Sequence, residues 1–189
     1  MRPTEILKDE HRVIESVLDC LEVLADRCER ERSLDDETAA RIIDFLRTFA
    51  DRCHHGKEEA QLFPAMEARG YSPDAGPVAV MLLEHTRGRE LIRAMDEARA
   101  GAAAGDDGAC RRFTGNARAY LGLLREHIQK EDHCLFPMAD QALTAEDQAA
   151  LQEAFRRVEA EEIGADVPER YRRIAASLVE RLGRGVAAG

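Results

Sequence analysis

The chain has 189 residues, 44% hydrophobic and 34% charged, with a formal net charge of −10. That length suits one folded unit with a sizeable core, and the acidic balance argues against nucleic acid and anionic membranes as partners. Lys and Arg are interspersed with Asp and Glu as on solvated helix surfaces. No window reaches the roughly eighteen apolar residues of a membrane span, and the charged N-terminus is unlike a signal peptide. A cytoplasmic protein is expected. The five cysteines (Cys20, Cys28, Cys53, Cys110 and Cys134) form no C-x-x-C pair and are odd in number, which fits a reducing compartment. Most read as small buried hydrophobes; Cys53, beside His54, and Cys134 are the two placed where redox activity would matter.

Trp is absent and Ala, Leu, Glu and Arg dominate, so the chain should be all-α. Thr4 is the expected cap of a first helix reaching about Arg30, with Ile6, Val13, Ile14, Val17, Leu18, Leu21 and Leu24 on its apolar stripe. Ser33, with Glu37 close behind, opens a second helix that ends near Gly70. Tyr71 to Gly76 is a connector, and Pro77 suits the first turn of a third helix, which fades between Gly101 and Gly108. A fourth runs from about Ala109 to Leu143. Thr144 and Asp147 form a capping box for a fifth, ending at Ile163-Gly164. A sixth runs from Pro168 to about Gly183, and the Gly185–Gly189 tail should fray. Four long helices with short connections predict an antiparallel up-down four-helix bundle over 1–143, with two further helices over 144–189 packed on it.

Within the bundle one string occurs twice. His54-His55-Gly56-Lys57-Glu58-Glu59-Ala60-Gln61-Leu62-Phe63-Pro64 returns as His127-Ile128-Gln129-Lys130-Glu131-Asp132-His133-Cys134-Leu135-Phe136-Pro137. The duplication extends further, since Glu10-His11 is repeated as Glu84-His85 and His54 to His127 spans 73 residues. The midpoints of His11/His54, His54/His85 and His85/His127 fall at the three expected turns. In antiparallel hairpins this sets all four histidines at one height, one per helix.

Residues four apart on a helix differ by about 40° and about 6 Å, so His54 with Glu58, and His127 with Glu131, address one cavity. Together with His11 and His85 they make four imidazoles and two carboxylates. That is too many for one zinc and suits redox-active iron, then manganese. His55 and Glu59 share the spacing, but their counterparts Ile128 and Asp132 decide for His54 and Glu58. His133 lacks a repeat partner. Glu15, a turn beyond His11, is expected behind the ligands, and Tyr120 lines the pocket or belongs to the core. Pro64 and Pro137 remove the hydrogen bonds to the carbonyls of Ala60 and His133, so Leu-Phe-Pro should bend or end each helix, with Phe63 and Phe136 roofing the site.

These strings and the order His, His-x-x-x-Glu, His, His-x-x-x-Glu resemble the hemerythrin-like (HHE cation-binding) family of bacteria, over about residues 4–143. The C-terminal stretch around Val158–Gly164 resembles an extension of one bacterial branch. The resemblance implies two iron ions with an oxo or hydroxo bridge, Mn or Zn being possible substitutes, held by His11, His54, Glu58, His85, His127 and Glu131. One departure stands out: oxygen carriers of the family have a fifth histidine a turn from the third, where this chain has Met81 and Arg89. One iron then has an open position, which Glu159 or Glu162 would fill or gate if the fifth helix folds across the bundle.

The expected function is binding or reaction with a small oxidant (oxygen, peroxide or nitric oxide), in sensing or detoxification, with peroxide decomposition or NO/O2 reduction as the possible turnover. The alternatives are an iron reservoir, sensor or donor, and a purely structural bundle. Repair of iron centres is less expected, because the first ligand lies only ten residues from the start. A monomer or a homodimer is compatible with the sequence.

Overall fold

The computed structural model describes residues 1–164 and 166–183, of which 161–163 and 183 as backbone only. The expected frayed tail lies outside the described residues. Six helices follow in order: α1 (Pro3–Glu31), α2 (36–67), α3 (Pro77–Ala103), α4 (107–142), α5 (145–164) and α6 (Val167–Gly183). No strand occurs among the described residues. No helix there is long and apolar enough to cross a membrane.

Two helix starts differ from expectation, each for a local polar reason. Thr4 lies inside α1 and is buried; its hydroxyl donates to Asp140 at 2.8 Å, while the Arg2 backbone N–H donates to Glu5 at 2.6 Å. α2 is capped by Asp35 rather than Ser33, because the Asp35 carboxylate accepts both the Thr38 N–H at 3.2 Å and its hydroxyl at 2.6 Å. Asp106 caps α4 in the same way through the Ala109 N–H. The Thr144–Asp147 capping box of α5 is present, with both reciprocal bonds made. Gly70 closes α2 at φ 97°, a conformation that a side chain would strain.

Leu-Phe-Pro marks an interruption of regular α geometry rather than the end of either helix. The chain widens into one π turn over Glu58–Leu62, closed by the Phe63 N–H on the Glu58 carbonyl, and into another over Glu131–Leu135, closed by Phe136 on Glu131. Each proline then falls in the first turn of a fresh α segment, where its missing N–H is tolerated.

Helices α3 and α4 pack along each other; α1 packs against α4, α2 against α3, and α6 against α1 and α2. Tyr171 of α6 donates to Asp44 at 2.7 Å and Arg27 of α1 to the Leu182 carbonyl at 3.2 Å. The apolar core is divided in two. A larger cluster includes Ile14, Leu18, Leu21, Phe45, Phe49, Phe113, Tyr120 and Leu124. A smaller one joins Leu7, Leu62, Phe63, Met81, Leu135, Phe136, Leu151 and Phe155. On every one of the first four helices the histidine falls between members of the two clusters. A polar layer is thus sealed on both sides by hydrocarbon.

Candidate metal centre

The six residues singled out from the sequence, His11, His54, Glu58, His85, His127 and Glu131, meet in that layer, and all are 1% exposed or less. Ring centroids lie 4.6 Å apart for His11 and His54 and 4.9 Å for His85 and His127, so the histidines do share one height. Each carboxylate faces both hairpins. One oxygen of Glu58 is 3.8 Å from Nε2 of His54 and the other 3.4 Å from Nε2 of His85. One oxygen of Glu131 is 3.2 Å from Nε2 of His127 and the other 3.1 Å from Nε2 of His11.

Despite these distances, both oxygens of Glu58 and of Glu131, and Nε2 of His11 and His54, have no hydrogen-bond partner of acceptable geometry. Lone pairs converging without donors are costly in a buried site. They are what a cation requires, and mixed imidazole and carboxylate donors suit iron or manganese. Two overlapping sets of donors lie within 4.8 Å of one another: His11, His54, Glu58 and Glu131, and His55, Glu58, His85 and His127.

Behind the ligands stands a ring of carboxylates whose role the sequence reading missed. Nδ1 of His11 contacts Asp132 at 2.8 Å, that of His54 Glu10 at 3.0 Å, that of His85 Glu59 at 2.7 Å, and that of His127 Glu84 at 2.9 Å. An ionised carboxylate only accepts, so Nδ1 of each ring is the donor, and in a neutral ring the Nε2 lone pair is left to face inward. Cations hold the carboxylates in turn. Lys57 donates to Glu10, Lys130 to Glu84, Arg12 to Asp132, and Arg89 to Glu59 at 2.5 Å and to Asp51 at 2.8 Å.

The repeated letters of the motif are thereby accounted for. The lysine anchors the glutamate that precedes the histidine of the previous helix, and the acid after the ligand glutamate orients a histidine of the other hairpin. The signal was visible in the duplicated Glu-His dipeptide and in the invariance of Lys and Glu/Asp across both copies.

Titration follows from these contacts. Burial pushes His54 down to about 4 and, with His55 nearby, His85 down to about 3. His127 is raised to about 9: burial opposes this, but Glu131 and Glu84 outweigh it. Burial opposes ionisation of Glu10, but the hydrogen bond from His54 and the charge of Lys57 outweigh it and lower the carboxyl to about 2. Burial and the adjacent Glu131 hold Glu58 well above the usual carboxylate range, whereas His127 and His11 outweigh burial and hold Glu131 well below it.

The remaining candidates are placed as follows. Glu15 pairs with Arg12 at 2.9 Å on the surface, one turn along α1, and does not stand behind His11. Tyr120 belongs to the larger apolar cluster, where burial and Asp51 raise its phenol. Arg89 fixes the acids behind His85 and His55. Glu159 accepts from Lys57 at 2.5 Å, outside the ligand layer; the side chain of Glu162 lies outside the described residues. Phe136 stacks on His11 at 5.5 Å and Phe63 on His85 at 5.9 Å, covering the site as expected. Cys53 is buried, its thiol raised to about 11 by burial, and so lacks thiolate character; Cys134 and His133 are exposed. His55, which the repeat comparison had set aside, is 5% exposed and belongs to the second donor set.

An all-helical chain with buried imidazoles and carboxylates converging in this way is a metal-binding helical protein. The chain belongs to the hemerythrin family: the profile of the Hemerythrin HHE cation binding domain matches residues 2–139. It is similar to "Uncharacterized protein Rv1995" of Mycobacterium tuberculosis and "Uncharacterized protein Mb2018" of Mycobacterium bovis, with 27% identity over 164 residues in each case. That alignment covers 85% of this chain but 62% of either relative, so the chain spans less than two thirds of their length. No solved structure matches it.

Proposed function

We propose that this protein holds two iron ions, bridged by Glu58 and Glu131 and by an oxo or hydroxo group, and that it binds or reacts with oxygen, peroxide or nitric oxide in sensing or detoxification. In this reading residues 1–143 are an antiparallel up-down four-helix bundle and 144–189 an extension packed on it. The protein is cytoplasmic, monomeric or homodimeric, and manganese or zinc can occupy the same donors. The observation that carries the proposal is the splayed carboxylate pair: each of Glu58 and Glu131 directs one oxygen to a histidine of either hairpin. A single ion would not use that arrangement.

The two ions supply a redox pair able to exchange electrons with a small oxidant. The chain's own contribution is to aim Nε2 of each ligand, to hold the ring protons on Nδ1 against the outer carboxylates, and to keep bulk water away beneath Phe63 and Phe136. Ligands this deeply buried admit only small molecules. Burial between two apolar clusters also favours retention of the metal over ready release, which weighs against the reservoir or donor reading.

Anaerobic purification with metal analysis, followed by separate additions of oxygen, peroxide and nitric oxide, tests the proposal. Two irons per chain and a changed optical spectrum with at least one oxidant are expected. Two irons with no response to any of them would sink the oxidant reading, and fast iron transfer to a metal-free protein would favour the donor one.

A further inference from the structure

The two copies of the repeat are unequal at one buried position. Where the second has Ile128, 1% exposed, the first has His55, 5% exposed. His55 lies against the site: its ring centroid is 3.8 Å from that of His85, with an interplanar angle of 14°, and 5.5 Å from that of His127. Its Nδ1 faces Asp51 at 3.4 Å, and Asp51 is held by Arg89 at 2.8 Å. This is the same histidine–carboxylate–cation chain that orients the other four imidazoles.

The backbone differs at the same place. Both copies have the π turn that begins at the ligand glutamate. Only the first has an additional π-helical stretch, Leu46–His55, closed by the Gly56 N–H on the Asp51 carbonyl. Successive side chains on a helix diverge by about 100°, so His54 and His55 cannot serve one ion. They can serve two. His54 falls in the donor set with His11, and His55 in the set with His85 and His127.

We propose that His55 is a metal ligand, giving the ion at His85 and His127 a third imidazole and leaving the position for an exogenous ligand on the ion at His11 and His54. This rests on the two-iron reading above and deepens it. From sequence the shortfall fell on the His85 side, because Met81 and Arg89 are not ligands. The structure fills that shortfall from a different helix, with Arg89 itself anchoring the acid behind the substitute. The donor count becomes three imidazoles against two, so the two ions are inequivalent.

The test uses the full-length protein loaded anaerobically with iron. In wild type, pulsed EPR on the half-reduced, 15N-histidine-labelled protein should count five coordinated imidazoles, and azide should bind once per iron pair. His55→Ala should either fall to about one iron per chain after gel filtration or keep two and bind a second azide per pair. The control His133→Ala, at an exposed position, should match wild type. Four imidazoles in wild type, or a His55→Ala protein with two irons and an unchanged azide endpoint, would overturn the assignment. Should His55→Ala fail to fold, the imidazole count in wild type decides alone. A wild-type protein that takes up no iron would instead overturn the two-iron reading, and this inference with it.

Discussion

The two copies of the eleven-residue repeat build the same ligand frame but not the same surroundings. Each supplies a histidine, a carboxylate four residues later, a lysine that holds the opposite Glu-His dipeptide, and a π turn that starts at the carboxylate. Lys57 of the first copy is wholly buried. Besides Glu10 it is bonded to Glu159 of α5 and lies 5.7 Å from the Phe155 ring. Lys130 of the second copy, with its partner Glu84, has a side chain 41% exposed. Repetition in the sequence thus fixes the inner geometry twice, while the C-terminal helices, packed on α1 and α2, cover Lys57 and leave Lys130 open to solvent. The same ion pair has different energetic weight in the two halves.

The largest effect on metal binding should come from the carboxylates themselves. Glu58→Met and Glu131→Met should each lower bound iron from two per chain to one or none, as measured by metal analysis after gel filtration. Their effects on the metal-free protein should diverge. Glu58 is buried with both oxygens unpartnered, so its replacement removes a desolvated group and should stabilise by about 1–3 kcal/mol in denaturant titration. Glu131 compensates the charge that His11 and His127 tend to carry, so its loss should gain less. Equal shifts would mean that the two halves are electrostatically alike.

Next come the lysines. Lys57→Met leaves an ionised Glu10, 1% exposed, without its cation, and a broken buried pair of that kind costs about 3–5 kcal/mol. Lys130→Met breaks a pair open to solvent and should cost no more than about 1 kcal/mol. Urea midpoints of the two variants, compared with wild type, give the difference directly. Glu159→Gln probes the outer end of the same chain. Glu159 is 31% exposed in its side chain, so the effect should be about 1 kcal/mol or less. It should vanish in a Lys57→Met background, because the cation it serves is gone.

Much of this was legible in the sequence because periodicity and duplication are one-dimensional signals. His11, His54, His85 and His127 could be levelled by counting to the turns, and Glu58 and Glu131 followed from the i,i+4 rule. What escaped depended on packing in three dimensions. His55 looked like the wrong register beside Ile128, since nothing in the letters announces a π-helical stretch that turns both His54 and His55 inward. The outer carboxylates Glu10, Glu84, Glu59 and Asp132 were given no orienting role, although the repeat already carried them. Pro64 and Pro137 were read as helix breakers by local chemistry alone. The π turn ahead of each proline absorbs the missing donor, and only the backbone path reveals that.

The smallest predicted effect concerns the caps, where the two hairpins should be nearly matched. Asp35 begins α2 and Asp106 begins α4, each accepting an N–H of the first turn. Replacing either by Ala should cost about 1 kcal/mol. Asp35 is also bonded by Arg181 of α6 at 3.1 Å, so Asp35→Ala should cost slightly more. Burial raises the Asp35 pKa, but the Thr38 bonds and Arg181 outweigh it, and the folded value lies below the ordinary 3.8. A lowered folded pKa stabilises the fold fully above the unfolded value and loses that contribution as pH falls through the folded one. The gap between wild type and Asp35→Ala should therefore be constant near pH 7 and close only below about pH 4. A gap that persisted undiminished in acid would mean that Asp35 acts through shape rather than charge, and that α6 clamps the first hairpin without help from this carboxylate.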